Sequence, residues 1–390
     1  MLLFILSAVL CCYAAMSYIL LRFPCLIHRT KPLGPVPVHI SHRGGAGERL
    51  ENTMDAFQNA VSLGTDMLEL DCHLTRDSEV IILHDPNLKR ITGVDVDVSN
   101  VNYNDLPIYL SKLEVEYHPG NHCKATPMTD LRFLRLEELL EAFPNVPMNI
   151  DIKQDDDRLI HRVAELLQKF QREDLTVWGS FSSVVAAKLH QANPRIKRFF
   201  PLEPVLWMFA GYFFGFLPFM SLPYDYLELP LICAFNYPQF RQSYCLQSFT
   251  SRAIMWFLDK LLMSPKLYKH LNARGIPVIF NVCNTTEDFK TAFAVGAQGI
   301  MTDYPKRLKA FLQTHSLPNN TISSSSVKNL KSHTASASEH GASNSNHNYK
   351  WAKRRSRSSL KGSSLVCATH PVQLHLSESV SVPCPEWRMT

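Results

Sequence analysis

The sequence predicts an α/β protein whose body is a parallel (β/α)8 TIM barrel, preceded by a membrane anchor and followed by a disordered tail. Three observations carry that expectation. Apolar segments of strand length alternate with helical patterns from Val38 to Gln313, as parallel sheets with crossover helices require. Several of those segments end in residues an ordinary core rejects: His42-Arg43 after Val38–Ser41, His84-Asp85 after Val80–Leu83, and Asp151-x-Lys153 in and after Met148–Ile152. Reactive groups at strand C-termini mark the rim of such a barrel, where active sites lie. Finally, 390 residues accommodate a barrel of roughly 250 with appendages.

Residues 1–22 are the expected transmembrane anchor. Met1–Leu21 carries no charged side chain and is long enough to cross a bilayer as a helix. It lacks the Lys or Arg of a signal-peptide n-region, and its apolar run exceeds a usual h-region, so a retained anchor is expected. Arg22, Arg29 and Lys31 follow it, which by the positive-inside rule puts the body on the cytoplasmic face. The endoplasmic reticulum or another internal membrane is the expected location. Residues 23–37 form a linker, since Lys31–Pro37 holds three prolines and a glycine and cannot continue a helix.

The barrel is expected over 38–314. Val38–Ser41 opens it, and Thr53–Leu63 is a helix with Asn52 or Thr53 as N-cap, stopped by Gly64. Met67–Leu74 and Val80–Leu83 are strands, followed by a weakly patterned excursion from Pro86 to Asp130. Helices are then expected at Leu136–Phe143, Asp157–Arg172, Ser182–Gln191, Pro265–Arg274 and Glu287–Val295. Strands fall at Met148–Ile152, Leu175–Gly179, Arg198–Leu202, within Leu227–Phe235, at Pro277–Val282 and at Gly299–Thr302.

Val205–Leu222 interrupts this rhythm with an uncharged, aromatic-rich run. If it crossed a bilayer, strands on its two sides would be separated and the barrel could not close. Gly211, Gly215 and Pro218 also make it a poor straight helix. The expectation is an apolar insertion at 205–222 on the rim, dipping into one leaflet beside the active site. Residues 315–390 lack apolar periodicity and should be disordered. Their basic run, Lys353-Arg354-Arg355 with Arg357, reads as part of a solvated tail. Forty Lys+Arg against 35 Asp+Glu is too weak a bias for nucleic acid binding, which is not expected. Ten scattered cysteines without C-x-x-C spacing exclude a zinc module or disulfide scaffold.

The most informative stretch is Met67–Leu74. A strand sends alternate side chains to opposite faces, so Glu69 and Asp71 share one face while Leu68, Leu70, Cys72 and Leu74 share the other. Neighbouring carboxylates repel unless protonated or bridged by a cation. A hard divalent metal, Mg²⁺ or Ca²⁺, is the natural bridge.

Taken together, His42-Arg43, Glu51-Asn52-Thr53, Glu69-x-Asp71, Thr75-Arg76-Asp77 and His84-Asp85 resemble the signature of the glycerophosphodiester phosphodiesterase family, over Val38 to Gln313. The closing A-V-G-A-Q-G-I-M-T-D-Y-P is similar to that family's last strand. The resemblance implies metal ligation by Glu69, Asp71 and Asp151, with Glu51 close by. It implies His42 and His84 as general base and acid, imidazole titrating near neutrality; His84 could instead ligate the metal. Arg43 and Lys153 would hold phosphate oxygens, or pair with the carboxylates. Two departures stand out. Asp151 is shorter than the family's usual Glu, and Asn281 stands where the family has a pocket Trp, which bears on substrate fit.

The anchor and apolar insertion resemble the lysophospholipase D branch of the family. The function expected is therefore a metal-dependent phosphodiesterase acting on lysophospholipids at a membrane and releasing lysophosphatidic acid. The alternatives are hydrolysis of deacylated substrates such as glycerophosphocholine, phospholipase C-type action on phosphoinositides, and a catalytically weak barrel used for binding. Protein partners are not indicated.

Overall fold

Strands of two to eight residues alternate with helices in a computed structural model that describes residues 1–32, 36–238, 240 and 248–315. The expected tail lies outside the described residues except for His315. The apolar helix α1 (Leu2–Arg22) leads to β1 (His39–Ser41). Helix α2 (Met54–Ser62) follows, its N-cap Thr53 accepting from the Ala56 amide as helix-start chemistry predicts. Next come β2 (Met67–Leu74), β3 (Val80–Ile82) and α3 (Lys89–Thr92). The hairpin β4 (Lys112–Glu114) and β5 (His122–Lys124) precedes α4 (Leu136–Ala142). The chain continues through β6 (Met148–Ile152), α5 (Asp157–Lys169), β7 (Thr176–Gly179), α6 (Ser183–Ala192) and β8 (Lys197–Arg198). It then forms α7 (Leu202–Phe214), β9 (Leu227–Pro230), α8 (Phe249–Leu262) and α9 (Pro265–Ala273). Last are β10 (Val278–Asn281), α10 (Thr286–Val295), β11 (Gly299–Thr302) and α11 (Pro305–Thr314).

The parallel strands run in the order β8-β7-β6-β2-β1-β11-β10-β9. A parallel bridge between Phe199 and Tyr226, with the Phe200 amide 3.0 Å from the Tyr226 carbonyl, joins the two ends and closes the expected barrel. Strand β8 covers only the start of the expected Arg198–Leu202 strand, so closure rests on this short contact. Ile40, Met67, Val177, Phe199, Tyr226, Ile279 and Met301 plug the interior. The outward faces bury Leu68, Leu70 and Ile150 under α2, α4 and α5, and Leu227, Leu229 and Val278 under α7, α9 and α10.

Two segments depart from expectation. Val80–Ile82 is antiparallel to β2, pairing Val80 with Leu74 and Ile82 with Cys72. Strand β2 overshoots the rim and β3 folds back along it. His84 thus returns to the level of Asp71, whose carbonyl accepts the Leu83 amide at 3.0 Å. The excursion after His84 has its own apolar core, including Leu50, Ile81, Leu83, Tyr109 and Phe133.

The 205–222 segment is not a rim insertion. Its helix α7 is the crossover between the parallel neighbours β8 and β9, so it packs outside the barrel, burying Val205, Met208 and Phe209. At 13 residues it is too short to span a bilayer. Its C-terminal end meets α1: Tyr13 Oη donates to the Phe214 carbonyl at 2.7 Å and Ser17 Oγ to the Gly215 carbonyl at 2.5 Å. Lys31 Nζ donates to the Tyr224 carbonyl at 2.5 Å, fastening the linker where the chain enters β9. Helix α1 buries only Ser17 and Leu20 and packs Leu21 on the core, and it is long and apolar enough to cross a membrane.

Candidate active site

At the C-terminal rim, β1 breaks into a tight turn over His42–Gly44, with Arg43 at φ 50°, Gly44 at 78° and Gly45 at 97°. A Cβ on Gly44 would stand 2.9 Å from that of Ala56, so α2 can approach only a glycine. The left-handed conformation of Arg43 is costly for a side-chain-bearing residue and is held by its surroundings. The Arg43 amide donates to Glu69 Oε2 at 2.8 Å, while its Nη1 donates to Glu51 Oε1 at 3.1 Å and Glu116 Oε2 at 2.8 Å. Its Nε and Nη2 have no hydrogen-bond partner.

Strands β2 and β6 place Asp71 beside Asp151 and Glu69 beside Asn149. All four side chains enter a cavity of about 260 Å³ that His42, Arg43, His84 and Lys153 also line. Lys153 Nζ bridges Asp71 Oδ1 at 3.0 Å and Asp151 Oδ2 at 2.6 Å. Burial and the adjacent Asp71 carboxylate raise Glu69 to about 7. Burial works against ionised Asp71 too, but Lys153, His84 and Arg43 outweigh it and hold that carboxyl well below its usual range. Burial raises Asp151 despite Lys153.

The two histidines are oriented alike. His42 Nδ1 lies 2.7 Å from Asp303 Oδ1, and His84 Nδ1 lies 2.6 Å from Asp85 Oδ1. A carboxylate can only accept, so each ring keeps its proton on Nδ1 and leaves Nε2 for chemistry. Burial opposes charge on His42, but the carboxylates of Asp303 and Glu69 outweigh it and raise its pKa. Asn284 holds Asp303, donating from Nδ2 to Asp303 Oδ2 at 2.8 Å and accepting the Asp303 amide at 2.9 Å. Asn284 is itself buried, so its amide is committed inside the fold.

Glu51 does not join the carboxylate cluster. Its Oε1 accepts Arg43 Nη1 and Arg90 Nη2, and its Oε2 accepts Arg90 Nη1 at 3.0 Å. Burial alone would raise it, but the two guanidiniums lower it to about 2. Its oxygens accept from two guanidiniums and it lies outside the cavity lining, which sets it apart from Glu69, Asp71 and Asp151.

Sequence reasoning missed Asp303, Glu116, Tyr117, Arg90 and Glu228. Glu228 sits on β9 between outward-facing Leu227 and Leu229, so the alternation that exposed Glu69 also signals it. It accepts from Asn149 Nδ2 at 2.6 Å across the barrel, and burial raises it to about 8. Glu116 and Tyr117 come from the turn between β4 and β5, a region with no readable periodicity.

Among the described residues, His84, Asp85 and Glu116 offer ligand atoms all within 4.8 Å of one another, a grouping that could hold a metal ion. Two of its members are already matched: Arg90 Nε donates to Asp85 at 2.5 Å, and Arg43 to Glu116. Glu69, Asp71 and Asp151 are less tightly grouped, with Lys153 between two of them. They nevertheless carry buried oxygens, Asp71 Oδ2 and Asp151 Oδ1, without hydrogen-bond partners. Orphaned carboxylate oxygens beside a raised Glu69 are the donor set that suits a hard divalent cation.

A closed parallel barrel with paired histidines, carboxylates and cations on its C-terminal rim defines a hydrolase of the phosphodiesterase type. The profile of the glycerophosphoryl diester phosphodiesterase family matches residues 42–307, and the chain belongs to that family. It is 45% identical over 307 residues to lysophospholipase D GDPD1 of Rattus norvegicus, spanning 78% of this chain and 95% of that protein. It is 39% identical over 306 residues to lysophospholipase D GDPD3 of Homo sapiens, spanning 78% and 93%. A crystal structure from Silicibacter pomeroyi DSS-3, described as a glycerophosphoryl diester phosphodiesterase, is 18% identical with a TM-score of 0.52. It covers 73% of this chain and 95% of that one, and supports the fold.

Proposed function

We propose that the protein is a lysophospholipase D: it hydrolyses the head-group phosphodiester of a lysoglycerophospholipid and releases lysophosphatidic acid. The observation that carries this reading is the pair of histidines, each with Nδ1 held by an aspartate, lining one cavity with Glu69, Asp71, Asp151 and Lys153. The names of the GDPD1 and GDPD3 relatives support the choice of lysolipid over deacylated substrates. Glu69, Asp71 and Asp151 would hold a divalent cation, which when bound offsets charge developing on the phosphate.

The chain's own groups then do the rest. One histidine takes the proton of the substrate's glycerol 2-hydroxyl as that oxygen bonds to phosphorus. The other protonates the departing head-group oxygen as its bond to phosphorus breaks. Because the nucleophile is already on the substrate, proximity substitutes for capturing a water in this step. Water afterwards opens the cyclic phosphate, with the two histidines exchanging roles. Arg43, whose Nε and Nη2 make no hydrogen bond and whose Nε lies 3.7 Å from Asp71 Oδ2, and Lys153 position the phosphate oxygens.

The test is a panel of 1-acyl lysophospholipid, its diacyl analogue and its 2-deoxy analogue, each with Mg²⁺ or Ca²⁺. Only the first should release head group. Comparable release from the 2-deoxy lipid points to direct attack by water and overturns the cyclic route.

We also infer that α1 anchors the protein in an internal membrane such as the endoplasmic reticulum, with the barrel on the cytosolic side. Arg22, Arg29 and Lys31 after an uncharged span support this. Protease added to intact microsomes should digest the barrel; full protection would reverse the orientation.

A further inference from the structure

Helix α8 is apolar on both of its sides, and only one of them is used. Leu258, Leu262 and Met255 fall on the half-buried side, where the helix packs on the segment Ile232–Asn236 that follows β9 at the rim. The opposite side exposes Phe249 by 83%, Trp256 by 62%, Phe257 by 57% and Ile254 by 58%. Large aromatic residues at such exposure in one contiguous face mark an interaction surface rather than scattered surface apolarity. The exposed arc also carries Arg252 and Lys260, and α9 adds exposed Lys266 and Lys269. The one acidic residue of α8, Asp259, lies on the half-buried side.

We propose that α8 is an interfacial helix that lies on a lipid bilayer and passes lysolipid into the catalytic cavity. Three features select lipid over a protein partner. Trp and Phe sharing an exposed face with Lys and Arg is a composition found in helices that lie in the headgroup region. The helix stands beside the site, since the segment Ile232–Asn236 on which it packs contributes Ala234 to the cavity lining. The flank that carries α8 is also the one joined to α1. Tyr212 Oη of α7 is 2.8 Å from Ser264 Oγ at the α8–α9 junction, while the end of α7 holds Tyr13 and Ser17 of α1. Exposed Leu206, Trp207, Phe213 and Phe214 on α7 extend the apolar surface along that flank.

The inference rests on the lysolipid reading above, and the size of the cavity connects the two. About 260 Å³ falls below the roughly 300–1,000 Å³ of pockets that enclose drug-sized ligands, so a long acyl chain must leave the cavity. Helix α8, packed on the segment that supplies Ala234 to the lining, offers that chain apolar surface between the cavity and the bilayer.

The experiment uses the full chain reconstituted in phosphatidylcholine–phosphatidylserine vesicles, comparing wild type with the double variant Trp256→Ser/Phe257→Ser. Two substrates separate docking from chemistry: a long-chain lysophosphatidylcholine in the vesicle, and a six-carbon analogue monomeric in water. The expected result is at least a tenfold loss on the vesicle-borne substrate with less than a twofold change on the soluble one. Equal rates on both, or equal losses on both, overturn the proposal. A change of oligomeric state with vesicle turnover untouched assigns the face to a second copy and also overturns it. A readout independent of turnover is quenching of tryptophan emission by brominated phosphatidylcholine, which should fall in Trp256→Phe. If that quenching falls as expected while wild type cleaves neither substrate, docking stands and the lysophospholipase reading fails.

Discussion

His42 and Asp303 stand 261 residues apart in the chain and 2.7 Å apart in the fold, with the imidazole Nδ1 donating to the carboxylate. Strands β1 and β11 are parallel neighbours, pairing Ser41 with Thr302, so the residue after each strand arrives at the same point of the rim. The aspartate fixes the ring's tautomer and stabilises its charged form. Replacing Asp303 with Asn keeps the shape but permits the wrong tautomer. We expect kcat to fall by roughly 10²–10⁴-fold, by analogy with triads in which a buried aspartate orients a histidine. Circular dichroism and the melting temperature should stay near wild type; a kcat within threefold of wild type refutes the orienting role.

Neutralising Glu69 separates metal binding from stability. Glu69→Gln removes a carboxylate that burial and Asp71 push to about 7. In chelator, the variant should melt at or above the wild-type temperature. Added Mg²⁺ or Ca²⁺ should raise the wild-type melting point, because a ligand that binds only the folded state stabilises it. The variant should lose that rise along with its turnover. An undiminished cation-induced shift in Glu69→Gln removes this residue from the ligand set.

Glu51 should behave in the opposite way. It joins Arg43 and Arg90 in a buried network, and Glu51→Gln leaves both guanidiniums undercompensated. Breaking one partner of such a buried pair costs about 3–5 kcal/mol. The variant should therefore be markedly less stable in urea titrations yet retain its cation-induced melting shift. Loss of that shift without loss of stability makes Glu51 a ligand after all.

Acid should weaken the fold through two buried histidines outside the site. Burial, aided by Lys309, lowers His39 from 6.5 to about 3. Burial also lowers His270 to about 4, outweighing the bond its Nδ1 makes to the Leu21 carbonyl. The unfolded chain protonates both near 6.5, whereas the folded chain does not until pH 4 or below. The unfolded state thus binds more protons in that window, and stability falls as pH drops through it. The contribution is up to about 1.4 kcal/mol per pH unit for each histidine. His39→Gln should flatten the decline in unfolding free energy between pH 6.5 and 4.5; a parallel decline excludes His39 as its source.

What the sequence determined by itself is local. Alternation in Met67–Leu74 put Glu69 and Asp71 on one face, and Asn52 or Thr53 before an apolar helix marked the start of α2, where the cap is Thr53. Those patterns follow from strand and helix periodicity, which neighbours a few residues apart encode. The linked motifs from His42 to His84 were legible for the same reason, since they lie in a single stretch of chain.

Only the tertiary structure decided which residues meet across the barrel. Asp303 on His42, Glu116 on Arg43 and Asn149 on Glu228 are contacts between distant strands and loops. Glu51 shows the same limit from the other side. Its position in a shared motif placed it near the metal, yet Arg90, 39 residues away, claims its oxygens. The 205–222 segment looked like a rim insertion because its apolar content was read without knowing which of its residues cover the barrel. Once β8 and β9 are parallel neighbours, the connection between them must return along the outside of the barrel. Burial against β9 and β10 then accounts for Val205, Met208 and Phe209. Apolar composition shows that a segment leaves water, whereas chain topology decides which of its residues pack against protein.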